Sequence, residues 1–359
     1  MDNDIKTLST ETITLLQSLI ATQSFSRAED KTGDLIEQFL QKHGATPQRK
    51  KHNIWAKNRH FDPRKPVILL NSHHDTVRPN LGYTRDPFSA DIVDGKLYGL
   101  GSNDAGGALT CLLATFLYFF DQQDLPFSLL YAASAEEEIS GHDGIELILP
   151  EFGKVDFGIV GEPTQMQMAI AEKGLMVLDG TAHGRSGHAA REEGESALYI
   201  AMDDIAWIRS HQFPQTSELL GPVKMSVTVI KAGSQHNVVP DLCEFTVDVR
   251  VNECYTLEEV LAEMQGNVQS ELKPRSLRMR SSIISPGHPL VKAGLALGRD
   301  YYGSPTTSDK ALMPFPTLKM GPGDSARSHS ADEFIYVSEI ESGIEIYINL
   351  LKKLYETLG

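Results

Sequence analysis

The stretch Val67-Ile68-Leu69-Leu70-Asn71-Ser72-His73-His74-Asp75 joins an unbroken apolar run to a cluster of chemically capable side chains. Four consecutive aliphatic residues with no polar alternation predict a strand buried on both faces, the kind found where helices cover a sheet on either side. Residues two apart on a strand share a face, so His73 and Asp75 point together at its carboxyl end. That end is where open α/β sheets bind ligands. An imidazole beside a carboxylate suits a metal ligand with an orienting neighbour. Taken alone, the segment reads equally as a surface loop with two histidines.

Working outward, the first half of the chain alternates helix and strand. Thr10 reads as the cap of a helix carrying Ile13, Leu16, Leu19 and Ile20, and a second helix spans 32–43 with Gly44 as its stop. A helix is predicted over 106–120, with strands over 128–134 and 157–160. The pattern changes after about residue 170. Residues 176–181 read as a strand and 195–209 as a helix. Val223, Met225, Val227 and Val229 then alternate onto one face of a strand. Phe245, Val247, Val249 and Val251 do the same in another, leaving Thr246, Asp248 and Arg250 on its polar face. A helix over 256–272 and a strand over 276–284 complete a small α+β unit. After Pro286 the first style returns and ends in an amphipathic helix over 338–358. The fold class is therefore α/β with discontinuous domains: residues 1–174 and 285–359 form one, and 175–284 are inserted into it.

Composition narrows the function classes. The chain has 359 residues, with 33 lysines and arginines against 48 aspartates and glutamates, a net charge of −15. The length fits two hydrophobic cores. The acidic balance argues against nucleic acid or an anionic membrane as partner, since each calls for a basic face. Cys111, Cys243 and Cys254 form no CxxC pair and leave an odd number, which fits a reducing, cytoplasmic setting. The acidic N-terminus does not read as a signal peptide. The longest apolar run, 108–120, is too short to span a bilayer at about 20 residues.

Four more segments carry possible chemistry. Leu97-Tyr98-Gly99-Leu100-Gly101-Ser102-Asn103-Asp104-Ala105-Gly106-Gly107 places Asp104 before the apolar helix, where it reads as an N-cap or as a carboxylate able to bridge two cations. Glu136-Glu137-Glu138 follows the strand over 128–134, and adjacent carboxylates there repel one another unless solvent or a cation relieves them. Gly161-Glu162-Pro163-Thr164 puts an acid after the strand over 157–160. Gly321 to Glu333 offers His329 in a Gly/Ser-rich loop after a strand over 317–320. Each could be an ordinary turn. Together they form five sites after strands of one sheet, and a mixed histidine–carboxylate set suits Zn²⁺ or Co²⁺ better than Ca²⁺.

In combination and order, these motifs resemble the co-catalytic zinc metallopeptidases and deacylases, the family of acetylornithine deacetylase, succinyl-diaminopimelate desuccinylase, aminoacylases and carboxypeptidase G. The resemblance spans nearly the whole chain. It implies a zinc-peptidase-like catalytic domain with a mixed central sheet flanked by helices, and an inserted ferredoxin-like lid that also forms a homodimer. It further implies two Zn²⁺ per chain, with Co²⁺ a substitute. His73 and Glu162 match ligands of one metal, Glu138 and His329 those of the other, and Asp104 the bridge. Asp75 matches the residue that orients His73, and Glu137 the general base. A one-residue shift in the triple glutamate would make Glu136 the base. In the inserted domain, Gly184-Arg185-Ser186-Gly187-His188 resembles the segment whose histidine reaches a neighbouring subunit's site, and Asn237 and Arg250 match substrate-binding residues. Ser72 stands where the family usually has glycine, Gly106 where lysine is common, and Ala331 where proline is common.

The implied activity is metal-assisted removal of an acyl group from a small N-acylated amino acid, of acetylornithine type and serving arginine biosynthesis. Succinyl-diaminopimelate desuccinylase and acyl-citrulline or acyl-lysine deacylases are rivals, followed by dipeptidases and carboxypeptidases. A non-catalytic metal-binding protein on the same fold is the reading from a different class.

Overall fold

The computed structural model describes residues 3–358, and their contacts divide into two units. One comprises residues 1–170, 284–302 and 308–359, the other residues 171–283 and 303–307.

The first unit opens with helices α1 (Asn3–Ile20) and α2 (Asp30–Lys42). Helix α1 starts well before Thr10, which lies mid-helix with its hydroxyl donating to the Lys6 carbonyl at 3.0 Å rather than capping. Strands β1 (Gln48–Lys50), β2 (Asn53–Lys57) and β3 (Val67–His73) follow, then the short β4 (Ile92–Val93) and β5 (Lys96–Tyr98). Helix α3 (Gly107–Phe119), β6 (Ser128–Ser134), α4 (Ile145–Phe152), β7 (Phe157–Val160) and β8 (Met168–Glu172) continue the alternation. All seven residues of β3 and all seven of β6 are buried, as continuous apolar runs demand when helices cover both faces. On one face Val67 and Leu69 join Trp55, Leu130, Ile145, Ile148 and Phe152 in a single apolar cluster. Helix α3 packs on β3 and β6, and α1 and α8 (Val337–Leu358) pack on α3. This sandwiching explains why α3 is buried almost all round.

The second unit begins in β8 and β9 (Gly174–His183), and continues through β10 (Gly187–His188), α5 (Ala197–Ser210), β11 (Lys224–Ala232), β12 (Val238–Val239), β13 (Leu242–Val251), α6 (Leu257–Asn267), β14 (Glu271–Pro274) and β15 (Ser282–Ile283). Its main sheet is antiparallel in the order β11-β13-β9-β14. With α5 and α6 the chain order is β-α-β-β-α-β, a ferredoxin-like split βαβ arrangement. Phe245, Val247, Val249 and Val251 are buried with residues of α5 and α6, while Thr246, Asp248 and Arg250 lie on the opposite, half-exposed face.

Three local expectations give way here. Val227 pairs with Val247 but Val229 pairs with Thr246, so Thr228 is an extra residue. This β-bulge turns Val229 outward, to 45 % exposure, and ends the predicted alternation. The helix predicted to run to 272 stops at Asn267, because Leu272 is taken into the sheet opposite Gly180. The strand predicted over 276–284 is confined to Ser282–Ile283, the preceding residues making only isolated bonds to β9, such as Leu175 N–H to the Met279 carbonyl at 2.8 Å.

The chain re-enters the first unit through α7 (Pro289–Ala296), β16 (Tyr301–Ser304), β17 (Thr317–Lys319) and β18 (Phe334–Tyr336) before α8. The large sheet contains the run β1-β2-β6-β3-β7-β17-β8. Within it β6, β3, β7 and β17 are mutually parallel neighbours, while β2 and β8 flank them antiparallel. Four parallel strands side by side present four carboxyl ends on one edge. Strands β4, β5 and β18 form a separate three-stranded sheet.

Helix α6 is fixed at its start by a capping box: Thr256 Oγ1 accepts the Glu259 N–H at 3.2 Å, and Glu259 Oε2 accepts the Thr256 N–H at 2.8 Å. Trp207 lies in the second unit and Trp55 in the first. Thr256→Ala is expected to lower the stability of the second unit by about 1 kcal/mol. Urea unfolding followed by Trp207 fluorescence in a Trp55→Phe background measures it, and an unchanged midpoint would show that the cap contributes nothing.

Candidate metal centre

The carboxyl ends of the four parallel strands carry the candidate residues. His73 ends β3, Glu137 and Glu138 follow β6, Glu162 follows β7, and His329 lies in the loop after β17. Asp104 arrives differently. It follows β5, in the small sheet, so the five sites are not all products of one sheet. Nor does Asp104 cap α3, whose N-cap is Gly106; it sits two residues earlier in an irregular turn over Ser102–Gly106.

These residues converge. His73 Nε2 lies 3.4 Å from Asp104 Oδ1 and 3.8 Å from Glu162 Oε1. His329 Nε2 lies 3.7 Å from the other Asp104 oxygen, Oδ2, and 2.9 Å from Glu138 Oε2. The two carboxylate oxygens of Asp104 thus face two different histidines. Among the described residues, two groups have ligand atoms close enough to hold a metal ion: His73, Asp104 and Glu138, and His73, Glu137 and Glu162. Glu136 is turned away from both. Its side chain packs where a Gly141 Cβ would come within 1.9 Å of Oε2, and Oε1 lies 3.9 Å from Arg27 Nε.

The two neighbouring histidines differ because strand alternation sends them to opposite sides. His74 is satisfied within the fold: Nε2 donates to the His52 carbonyl at 2.9 Å, so Nδ1 accepts from the Thr32 hydroxyl at 3.0 Å. Burial pushes its imidazole down to about 4. His73 Nδ1 donates to the Asp75 carbonyl at 3.0 Å, which leaves the Nε2 lone pair free. That atom is buried and makes no hydrogen bond among the described residues. A buried imidazole nitrogen facing carboxylates with no hydrogen bond of its own is the place for either a proton or a divalent cation.

The Asp75 side chain reaches beyond His73. Its Oδ1 is 3.4 Å from His73 Nδ1 and accepts the Glu137 N–H at 3.0 Å; its Oδ2 accepts the Glu138 N–H at 3.2 Å and the Ser26 hydroxyl at 2.7 Å. One carboxylate therefore ties the end of β3 to the glutamate turn after β6.

Electrostatics reveal the cost of the arrangement. Burial, with Glu162, Asp309 and Glu138 nearby, holds the Glu137 carboxyl well above its usual range, against the pull of His73. Burial likewise raises Glu138. Burial pushes His73 down, but Asp104 and Asp75 outweigh it and hold the imidazole well above its ordinary value. The hydrogen bond to Glu138 raises His329 to about 9. So many interacting carboxylates are relieved either by protons on the histidines or by a bound cation.

Glu333 supports the Asp104 turn from a sequence context that hides it. It is 2 % exposed, and its carboxylate accepts the backbone N–H groups of Gly101, Asn103 and Asp104 at 3.2, 2.8 and 2.9 Å. Burial, then the Asp104 charge, pushes it up to about 8. It shapes the turn that presents Asp104. In sequence it reads as a surface acid next to Asp332, and its only signal is the apolar strand that follows. The glycine at 106 also has a local cause: a Cβ there would meet the Gly101 carbonyl oxygen at 2.5 Å and Leu16 Cδ1 at 2.6 Å. Ser72 is buried and donates to the Gly161 carbonyl at 2.8 Å, joining β3 to the turn that carries Glu162.

The remaining candidates lie in the second unit. His188 pairs with Val238 in the β10–β12 ribbon, and the Ala189 N–H donates to the Asn237 carbonyl at 3.0 Å, so His188 and Asn237 share one ribbon. His188 Nδ1 accepts the Ala190 N–H at 3.1 Å. Arg250 grips Asp248 through Nε and Nη2, at 2.8 and 3.0 Å.

Over 95 % of its length the chain is 28 % identical to the acetylornithine deacetylase of Proteus mirabilis, covering 96 % of that protein. It is 26 % identical to the succinyl-diaminopimelate desuccinylase of a Caulobacter species, with 97 % of each chain covered. In structure it resembles a tripeptidase from Staphylococcus aureus, with a TM-score of 0.79 at 17 % identity, covering 97 % of this chain and 99 % of that one. It also resembles a dinuclear metal-binding M20 peptidase from Bacillus subtilis, with a TM-score of 0.72 at 17 % identity, covering 98 % and 99 %. Residues 69–353 match the profile of peptidase family M20/M25/M40, and the chain belongs to that family.

Proposed function

We propose that this metal-dependent amide hydrolase removes the acyl group from a small N-acylated amino acid, with an acetylornithine-type substrate favoured and arginine biosynthesis its setting. The observation that carries the reading is the placement of Asp104 between His73 and His329, with Glu137 grouped with His73 and Glu162. In this reading His73, Glu162 and Asp104 hold one Zn²⁺, and Asp104, Glu138 and His329 the other. When bound, the pair supplies Lewis acidity toward the amide carbonyl and charge neutralisation for the acidic cluster.

The protein's own groups do the rest. Glu137 takes the proton of the attacking water and returns it to the leaving amine, so one carboxyl serves as base and then as acid. His188 donates to the developing oxyanion, contributed by a second copy of the chain in a homodimer formed through the inserted unit. Asn237 and Arg250 hold the amino-acid part, Arg250 releasing Asp248 to bind a carboxylate. The three unpaired cysteines support a reducing, cytoplasmic setting. No helix among the described residues is long and apolar enough to cross a membrane.

Hydrolysis of a panel of acetyl- and succinyl-amino acids and dipeptides by the Zn²⁺-loaded protein tests the substrate. N-acetylornithine is expected to turn over fastest. Faster turnover of N-succinyl-diaminopimelate would make the protein a desuccinylase, and turnover of dipeptides alone a peptidase. Metal loading without hydrolysis of any amide would favour the binding protein. Glu137→Gln is expected to lower kcat by at least about 10²-fold while metal content stays near two per chain. Normal turnover in that variant would remove Glu137 as the base. Chelation is expected to abolish activity, and Zn²⁺ at a hundredfold excess over Kd to restore about 2.7 kcal/mol of stability for each site filled, with His73→Ala losing the share of the site it belongs to. Because His73 and His329 hold protons near neutrality in the metal-free protein, binding releases protons. Affinity should therefore rise with pH as these protons are lost, through the range near 9 where His329 becomes neutral. Calorimetry in buffers of different ionisation enthalpy reads this directly, and a pH-independent Kd would contradict it.

A further inference from the structure

The turn carrying Glu137 and Glu138 is held from behind by a segment to which the sequence reading gave no role. Glu136 adopts φ +54°, a left-handed conformation uncommon for a residue with a Cβ. Such a backbone persists only where its surroundings over-determine it. Its carbonyl accepts the Gly141 N–H at 2.9 Å. Its N–H donates to Glu29 Oε1 at 3.2 Å. The next two N–H groups, of Glu137 and Glu138, go to the two oxygens of Asp75. Three successive N–H groups are thus each taken by a carboxylate oxygen, and the first of those oxygens comes from a residue 107 positions earlier in the chain.

Glu29 stands at the N-terminus of α2, where an acid ordinarily caps the helix or answers its dipole. Its side chain makes no capping bond. The carboxylate is fully buried, and Oε1 also accepts the Arg27 N–H at 2.9 Å. The cation-forming group nearest to Oε2 is His52 Nε2 at 3.9 Å, beyond hydrogen-bond length. Acceptance from the Glu136 backbone is therefore its main contact with the chemistry. The rest of the segment acts in the same direction: Ser26 donates to Asp75, and Thr32 to His74.

We propose that Glu29 is a positioning residue, which pins the left-handed backbone of Glu136 and so aims Glu137 toward His73 and Glu162, and Glu138 toward His329. The inference rests on Glu137 being the base. What matters in it is an acceptor at the right distance, not a charge. Glu29→Gln keeps the acceptor and its reach. Glu29→Asp keeps the charge and shortens the reach by one methylene. Glu29→Leu removes both.

The test compares the three metal-loaded variants with wild type by kcat, KM, metal content and hydrogen exchange of the peptide covering 135–141. Glu29→Gln is expected to stay within about threefold of wild type. Glu29→Asp and Glu29→Leu are expected to lose about 10–100-fold in kcat, the scale of a small misplacement of a catalytic group, with KM and metal content unchanged. Exchange in 135–141 should quicken in both. An active Glu29→Asp with an inactive Glu29→Gln would overturn the proposal in favour of a charge effect. Wild-type kcat and exchange in Glu29→Asp would overturn it outright. If Glu29→Leu does not fold, the Gln/Asp comparison decides. If the wild-type protein hydrolyses no amide on the panel, the functional reading has failed, and exchange in 135–141 alone decides whether Glu29 holds the turn.

Discussion

The constraint on which this structure depends is the crowding of carboxylates at the carboxyl ends of four parallel strands. Asp75, Asp104, Glu137, Glu138 and Glu162 lie within a few side-chain lengths of one another, largely out of water. Each ionised oxygen there loses hydration and repels its neighbours, which is why Glu137 and Glu138 hold their protons above the usual range. A fold that minimised its free energy alone would not assemble such a group. A divalent cation bound there would turn the repulsion into coordination, so the same residues that cost stability in the metal-free protein would supply affinity for it.

The scaffold holds this arrangement with backbone amides rather than opposing cations. Glu333 gathers three N–H groups of the Asp104 turn, and Asp75 gathers two of the glutamate turn. Hydrogen bonds from neutral donors fix a carboxylate without competing for the ligand oxygens, whereas a lysine among them would exclude the metal. Direction follows from the same bonds. Each turn is anchored by a carboxylate remote in the chain, so its side chains project at a set angle into the site.

Much of the fold was legible in the sequence. Strands β6 and β7 fall where their apolar runs ended, and β3 continues through His73, because segments buried on both faces leave an unmistakable composition. Errors concentrate where hydrogen bonding outside the segment decides. Thr10 resembles a cap, yet α1 already has the preceding turn to extend into. The residues around Leu272 carry a helical pattern, yet β9 offers an unpaired edge that captures them. One extra residue at Thr228 reverses an alternation that otherwise fits. Glu29 and Glu333 were unreadable for a related reason. Each stands beside an aspartate at an element boundary, where acids are common on exposed surfaces, and nothing local to them reports that they are buried.

By itself, the sequence determined that apolar strands end in histidine and carboxylates in a fixed order, and so which chemistry the chain can hold. Only the tertiary structure decided how those groups are divided. It placed His73 rather than His74 in the cluster, set the two oxygens of Asp104 toward different histidines, and turned Glu136 outward and Glu137 inward. The physical reason is that a side chain's direction at a turn depends on where its backbone amides are bound. Here those acceptors lie 62 to 232 residues away along the chain.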